Sequence, residues 1–378
     1  MKRKKRKVDF LDGALVGIAA GILLFFAIGM FLLPQEHFSE HENRALSVWE
    51  TPSWGSIFDG SFSESLGKLY RDQLPLRKKL ISLKAGSEIL LGKRENNGIL
   101  WGDEGMLFSR NEYSDLSVAE QNLAAVDRFS AETFDLRVTS VWIPRSSDVM
   151  TRWLPKPYPS DATDALYALL EGSGEIPLGE LRESAEGGTQ VYYRTDHHLT
   201  TEGAYLVYCL LGEKLGFSPL AREFFSAERV SESFLGSADS AVGGIASRSD
   251  TVTLFRYEGD ENVRVIDRTT GEERRGFYDW SAMGKKDQYS VFLGGNFAHL
   301  SVESANEAKP RLLLIKDSFA NALVPFLALH FDLEIVDLRY LSEPLSLDGC
   351  DRALILQGVD TLATDPSLKK LGFLQKKG

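Results

Sequence analysis

The chain has 378 residues, with 54 acidic against 43 basic side chains and a net charge of −11. That balance offers no electrostatic footprint for nucleic acid, and the length suffices for one large α/β domain or two smaller ones. Its two cysteines, Cys209 and Cys350, have no zinc-site spacing; an exported chain can pair them, although Cys209 falls in an apolar helical pattern that suits a buried thiol.

Residues 2–7 read KRKKRK and residues 13–33 contain no charge. At 1.5 Å rise per residue the apolar run extends about 31 Å, enough to cross a bilayer core. Basic residues ahead of it keep the N-terminus cytoplasmic and send the chain beyond Leu33 outside. An adjoining span argues against reading the basic run as a nuclear-localisation signal. The run closes on Gly-Met-Phe-Leu-Leu-Pro with no small-residue cleavage pattern, which predicts an uncleaved signal anchor over residues 1–33. Beyond it the net charge falls to about −15, a surface that repels anionic polymers at close range.

Residues 34–60 carry Pro34, Pro52, Gly55 and Gly60 and little periodicity, as a juxtamembrane linker does. Residues 61–91 predict two helices broken at Pro75, so 34–95 is read as linker and helical neck. A single α/β domain is expected over 96–378. ILWGDEGMLF at 99–108 predicts two short strands around a turn, and Ser117-x-x-Glu120 caps a helix over about 117–133. VTSVWI at 138–143 predicts a strand ending at Pro144. A helix over Ala165–Leu170, a strand at 191–194 and a helix at 200–215 continue the alternation of a parallel sheet covered by helices. Residues 217–287 interrupt it with strand-like TVTLFRY and NVRVI and the polar DRTTGEERRG, an inserted β region. QYSVFLGG, RLLLI, LEIVDL and RALILQ then predict four further strands, and the last three, apolar without alternation, are expected as neighbours in the centre of the sheet.

Within VYYRTDHHLTTEGAY, residues 191–205, Asp196, His197 and His198 stand where the predicted strand ends. α/β proteins commonly place their chemistry there, and a carboxylate two residues from a histidine can orient its ring. Taken alone, the stretch reads equally as a strand end whose histidines cap the next helix. In RLLLIKDSFANALVPFLALHF, residues 311–331, Lys316-Asp317-Ser318 lies between a buried strand and a helical pattern. A serine there has backbone N–H groups that stabilise an oxyanion; the alternative is an N-cap formed by Asp317 or Ser318.

These residues also carry a resemblance. The chain resembles the DHHW family of bacterial proteins, whose motif stands here as Asp196-His197-His198-Leu199. It is more distantly similar to the alginate O-acetylation proteins of the SGNH-hydrolase superfamily. The likeness extends through SEHENRALS, DGSF, YRDQLPLR, NNGILWGDEGML, DQYSVFLGGN, LLLIKDSFANALVPFL and VDLRYL. It implies a three-layer α/β/α fold around a central, mainly parallel sheet, and acyl transfer through a serine ester. Its D-x-H and D-S motifs map onto Asp196, His198 and Ser318: His198 the base, Asp196 its orienter, Ser318 the nucleophile. The Ser318 N–H would be the first oxyanion donor and Gly295 or Asn296 the second, with His197 and Asp317 in support. Arg339, Tyr340 and Asn321 are candidate substrate contacts. Leu199 replaces the family's large aromatic residue.

The resemblance implies O-acetyl transfer or hydrolysis on a cell-surface polysaccharide, with a membrane-bound O-acyltransferase as acetyl donor, no cofactor and no nucleic-acid partner. The alternatives are a non-catalytic wall-glycan-binding or assembly protein and, last, a metal-dependent hydrolase using Asp196, His197 and His198. Adjacent residues converge poorly on one ion, so no metal is expected.

Overall fold

The computed structural model describes residues 10–39, 44–110, 113, 115–133, 135–156, 158, 161–304, 309–347 and 349–375. The basic run at 2–7 lies outside them. The chain divides into two compact units, Met1–Lys93 and Arg94–Gly378.

The first unit begins with a helix, Phe10–Leu32, whose stretch Asp12–Met30 has a mean hydropathy of 2.3 and is long and apolar enough to cross a membrane. Two further helices, Ser61–Asp72 and Arg77–Leu90, are separated at Pro75, which lacks the N–H a continuing helix needs. Asp72 receives the Arg44 guanidinium at 2.6 Å, and this hydrogen bond, opposed by partial burial and aided by the Ser47 N–H, holds its carboxyl near 2.

The second unit is built on a seven-stranded sheet. Its strands, in chain order, are β1 Arg137–Ile143, β2 Arg264–Asp267, β3 Glu273–Arg275, β4 His299–Glu303, β5 Arg311–Lys316, β6 Asp332–Val336 and β7 Arg352–Gly358. Their spatial order is β3-β2-β4-β6-β5-β7-β1. The three apolar runs expected as central neighbours, β6, β5 and β7, lie side by side and parallel, with β1 parallel beyond β7. The sheet departs from the expected mainly parallel pattern on its other flank, where β4, β2 and β3 pair antiparallel. Half of its strand pairs are therefore antiparallel. Part of the region read as inserted, β2 and β3, extends the main sheet, whereas Ser226–Phe234 and Asp250–Arg256 form a separate antiparallel ribbon.

Period-two side-chain alternation sends successive residues of β5 and β7 to opposite faces. Leu312, Leu314, Leu354 and Leu356 pack with Ala204, Val207, Tyr208 and Leu211 of the helix α2, Thr201–Leu215. Leu313, Ile315, Ala353 and Ile355 pack with Leu123, Val126 and Phe129 of the helix α1, Ser117–Glu132. Both faces are covered, which is why these strands read as unbroken apolar runs.

Two expected strands are absent. Gln288–Val291 is a 3-10 turn, and Leu293, Gly294 and Gly295 that follow all have positive φ, 66°, 80° and 115°; the apolar residues of QYSVFLGG are buried without a ladder. The segment 191–194 joins no sheet. It turns back on its own continuation, with Tyr193 N–H donating to His198 O and Thr200 N–H to Val191 O, so Tyr192 and Leu199 form an isolated bridge.

Candidate active site

The parallel strands β1, β7, β5 and β6 bring their carboxyl ends to one edge, and β5 there delivers Lys316-Asp317-Ser318. The turn after it is tightly held. Asp317 is 1% exposed; its Oδ1 accepts from Phe319 N–H, and its Oδ2 from Gly358 N–H and from the Thr361 hydroxyl at 2.6 Å. Asp317 thus ties the serine turn to the end of β7 and is an acceptor, not an oxyanion donor. The helix expected after Ser318 is a 3-10 turn, Ser318–Ala322, followed by one α-helical turn, Val324–Leu327. So short a helix contributes little dipole, and any oxyanion stabilisation from this segment rests on individual N–H groups.

The Asp-His-His loop is clamped from two sides. Asp250, itself buried, accepts Arg194 N–H on Oδ1 and both Thr195 N–H and Oγ–H on Oδ2. Thr195 O in turn accepts from Ala238 and Asp239 N–H, and its hydroxyl oxygen from Gly236 N–H. Gly236 lies so close to the loop that a Cβ there would stand 2.3 Å from the Asp196 Cβ.

The outcome is a continuous hydrogen-bonded chain. His198 Nε2 lies 2.7 Å from Ser318 Oγ, and His198 Nδ1 lies 2.5 Å from Asp196 Oδ1. The same Oδ1 accepts His198 N–H, while Oδ2 accepts the N–H and the hydroxyl of Ser237, each at 2.8 Å. Burial opposes the Asp196 charge, but the His198 and His197 charges and these hydrogen bonds outweigh it and hold the carboxyl well below its ordinary range. The His198 ring stacks on Tyr289, centroids 3.9 Å apart and planes 9° from parallel, and the Tyr289 hydroxyl donates to Ser318 O. One tyrosine therefore touches both His198 and Ser318.

His197 points elsewhere. Its Nδ1 lies 2.9 Å from Ser237 Oγ, and 46% of its side chain is exposed. Packing beside His198 and Phe319 desolvates the ring, and this, together with the His198 charge, draws its pKa down to about 4 against the pull of Asp196. Leu199 is fully buried in the core beneath the loop, so the replacement of the family aromatic alters packing rather than an exposed contact surface.

The remaining candidates form a second polar cluster. Lys316, 1% exposed, donates to Asn296 Oδ1 at 2.7 Å and Asn321 Oδ1 at 2.8 Å and lies 3.8 Å from Asp337 Oδ2. Burial draws its ammonium down to about 8, against the raising pull of Asp337 and Asp317. Asn321, 2% exposed, donates to Gly295 O at 3.3 Å, so it braces the Gly295-Asn296 turn from within. Because Lys316 holds the Asn296 carbonyl oxygen, the Asn296 –NH2 is turned away from it. Arg339 pairs with the buried Asp337 at 2.7 Å and lies over the ring of Tyr340, which is 54% exposed.

Among the described residues, Asp196, His197 and His198 offer ligand atoms within 4.8 Å of one another. Both carboxylate oxygens, both His198 nitrogens and His197 Nδ1 already hold hydrogen bonds. An ion there would have to break the Ser318-His198-Asp196 chain, so the donor set does not fit a metal.

Residues 162–336 match the family described as DHHW protein. That region contains Asp196, His198 and Ser318. A solved DHHW family protein from Eubacterium siraeum DSM 15702 superposes with a TM-score of 0.61 at 19% identity, covering 75% of this chain and 98% of that one. Bacillus cereus PatB1, solved with a sulfonyl adduct, gives 0.60 at 20% identity, covering 74% and 98%. These likenesses establish the fold. In sequence, the chain is 24% identical over 184 residues to the "Probable alginate O-acetylase AlgJ" of Azotobacter vinelandii, 43% of this chain and 47% of that protein. It spans about half the length of the curated relatives it matches.

Ser237, Gly236, Tyr289 and Lys316 were not anticipated as parts of this site. Lys316 alone left a signal, a lysine closing an apolar strand. Ser237 stands 41 residues from Asp196 in sequence, and Tyr289 lay in a stretch expected to be a strand.

Proposed function

We propose that this protein is a membrane-anchored, extracytoplasmic serine acyltransferase or esterase acting on O-acetyl groups of a cell-surface polysaccharide, within an SGNH-type three-layer domain. The observation that carries the reading is the unbroken hydrogen-bonded chain from Ser318 Oγ through His198 to Asp196. His198 removes the serine proton as Oγ attacks an acetyl carbonyl, and Asp196 keeps the ring in the tautomer whose Nε2 is bare. The proton passes from His198 to the leaving alcohol, and an acetyl-serine remains. The second half runs in reverse with a glycan hydroxyl or water as acceptor.

The relatives support the substrate class. One is named a probable alginate O-acetylase. A membrane-bound O-acyltransferase is the acetyl donor this reading favours. The full chain, incubated in detergent with p-nitrophenyl acetate and digested, is expected to show an acetyl mass on the Ser318 peptide, and a sulfonyl fluoride should block it. A chain that stays unmodified at Ser318 under both reagents would favour the glycan-binding alternative.

A further inference from the structure

His197 has no part in the triad, yet its surroundings specify its protonation. The Ser237 hydroxyl has one proton and two neighbours, Asp196 Oδ2 at 2.8 Å and His197 Nδ1 at 2.9 Å. An ionised carboxylate only accepts hydrogen bonds. The serine proton must therefore go to Asp196, since turning it toward His197 would leave two sets of lone pairs facing each other. The remaining lone pair on Ser237 Oγ accepts, so His197 Nδ1 is the nitrogen that carries the hydrogen. The ring is neutral near pH 7, because packing, His198 and Arg339 disfavour its charge more than Asp196 favours it. The consequence is a bare Nε2 on a half-exposed ring, with no partner among the described residues. This ring lies beside His198, centroids 4.0 Å apart, and 5.7 Å from that of Phe319, the residue after the nucleophile.

We propose that His197 Nε2 is a binding group for the acyl acceptor and takes a hydrogen bond from the hydroxyl next to the one that reacts. The inference rests on the serine-ester reading above. In the transfer step the reacting hydroxyl has one proton, and His198 needs it. The acceptor oxygen forms a bond to the acetyl carbon, the bond from that carbon to Ser318 Oγ breaks, and the proton taken by His198 returns to Ser318. His197 therefore cannot share that proton, but it can hold a neighbouring hydroxyl. Two imidazole acceptors side by side match a vicinal diol, which a sugar ring supplies and water does not. The motif's first histidine thereby selects a polyol over water as acceptor.

The test uses the full chain in detergent with p-nitrophenyl acetate as donor and equal concentrations of 1,2-propanediol and 1-propanol as competing acceptors. The ratio of the two primary acetate esters comes from one common acyl-enzyme, so it does not depend on how fast that intermediate forms. The native protein should favour the diol by about 3- to 10-fold, the worth of one neutral hydrogen bond, and His197→Phe should bring the ratio close to one. An even ratio in the native protein, or a ratio that survives the substitution, overturns the proposal. A second measurement needs no turnover. Side-chain 15N spectra of histidine-labelled protein at pH 7, with His197 assigned by its loss in His197→Phe, should show Nδ1 protonated and Nε2 bare. A protonated Nε2 overturns the proposal even if Ser318 is acetylated; an unacetylated Ser318 with the expected tautomer sinks the serine-ester reading instead.

Discussion

At the scale of single residues, the site is a set of side chains each held by partners on other segments. Members of such a unit lose their effect together. His198→Ala and Ser318→Ala are each expected to lower acyl transfer by about three to six orders of magnitude, and the double substitution to be scarcely worse than either. His197→Ala should cost about one to two orders, as a group supporting the site from its margin does. Steady-state kinetics on all four variants decide this, and multiplying losses would show that Ser318 and His198 do not act as a pair. Lys316 gives a pH prediction. Its ammonium titrates near 8 when folded and near 10.4 when unfolded, so between those values the unfolded chain binds more protons. Stability must then rise with pH across that window. Relative to Lys316→Met, the native chain should gain up to about 3 kcal/mol from pH 8 to pH 10 in urea unfolding. A difference that stays flat would mean the lysine is not desolvated.

At the scale of elements, two close approaches carry the geometry. The start of the short helix Ser237–Val242 supplies both donors to Asp196 Oδ2, and it can come so near only because residue 236 is glycine. Its φ of −85° is open to any residue, so the requirement is steric and not conformational. Gly236→Ala should therefore displace Asp196 and lower kcat by about 100-fold, the usual cost of misplacing a catalytic group by an ångström. Calorimetry on the same variant should show a much smaller relative change, and an unaltered kcat would mean the loop relaxes freely. The turn Leu293–Gly295 is the second case. Of its three successive positive φ values, those at Gly294 and Gly295 carry no Cβ penalty, whereas the one at the buried Leu293 is costly backbone, kept where the surroundings over-determine it. Lys316 and Asn321 do so here, holding Asn296 and Gly295 at the edge of the sheet.

At the scale of the whole molecule, the basic run KRKKRK ahead of the apolar stretch that forms the helix Phe10–Leu32 predicts a tethered protein with residues 34–378 outside the cytoplasmic membrane. Protease added to intact protoplasts should digest that portion; full protection would reverse the orientation.

The sequence by itself determined what depends on local pattern. The apolar runs of β5, β6 and β7 announced strands buried on both faces, Pro75 separated two helices, and residues 13–33 announced a helix long and apolar enough to cross a membrane, because burial and backbone chemistry act on consecutive residues. It also marked Asp196, His198 and Ser318, two of them within three positions and the third at the end of a strand. Only the tertiary structure decided the antiparallel flank of the sheet, since pairing partners lie far apart in the chain and β-type residues suit either direction. It alone turned QYSVFLGG and 191–194 away from strands, since apolar residues can be buried in a turn as well as in a ladder. And it alone brought Ser237 to Asp196 and Tyr289 to His198 and Ser318, because a hydroxyl or a ring acquires its role from what stands within hydrogen-bond reach, and sequence distance carries no record of that.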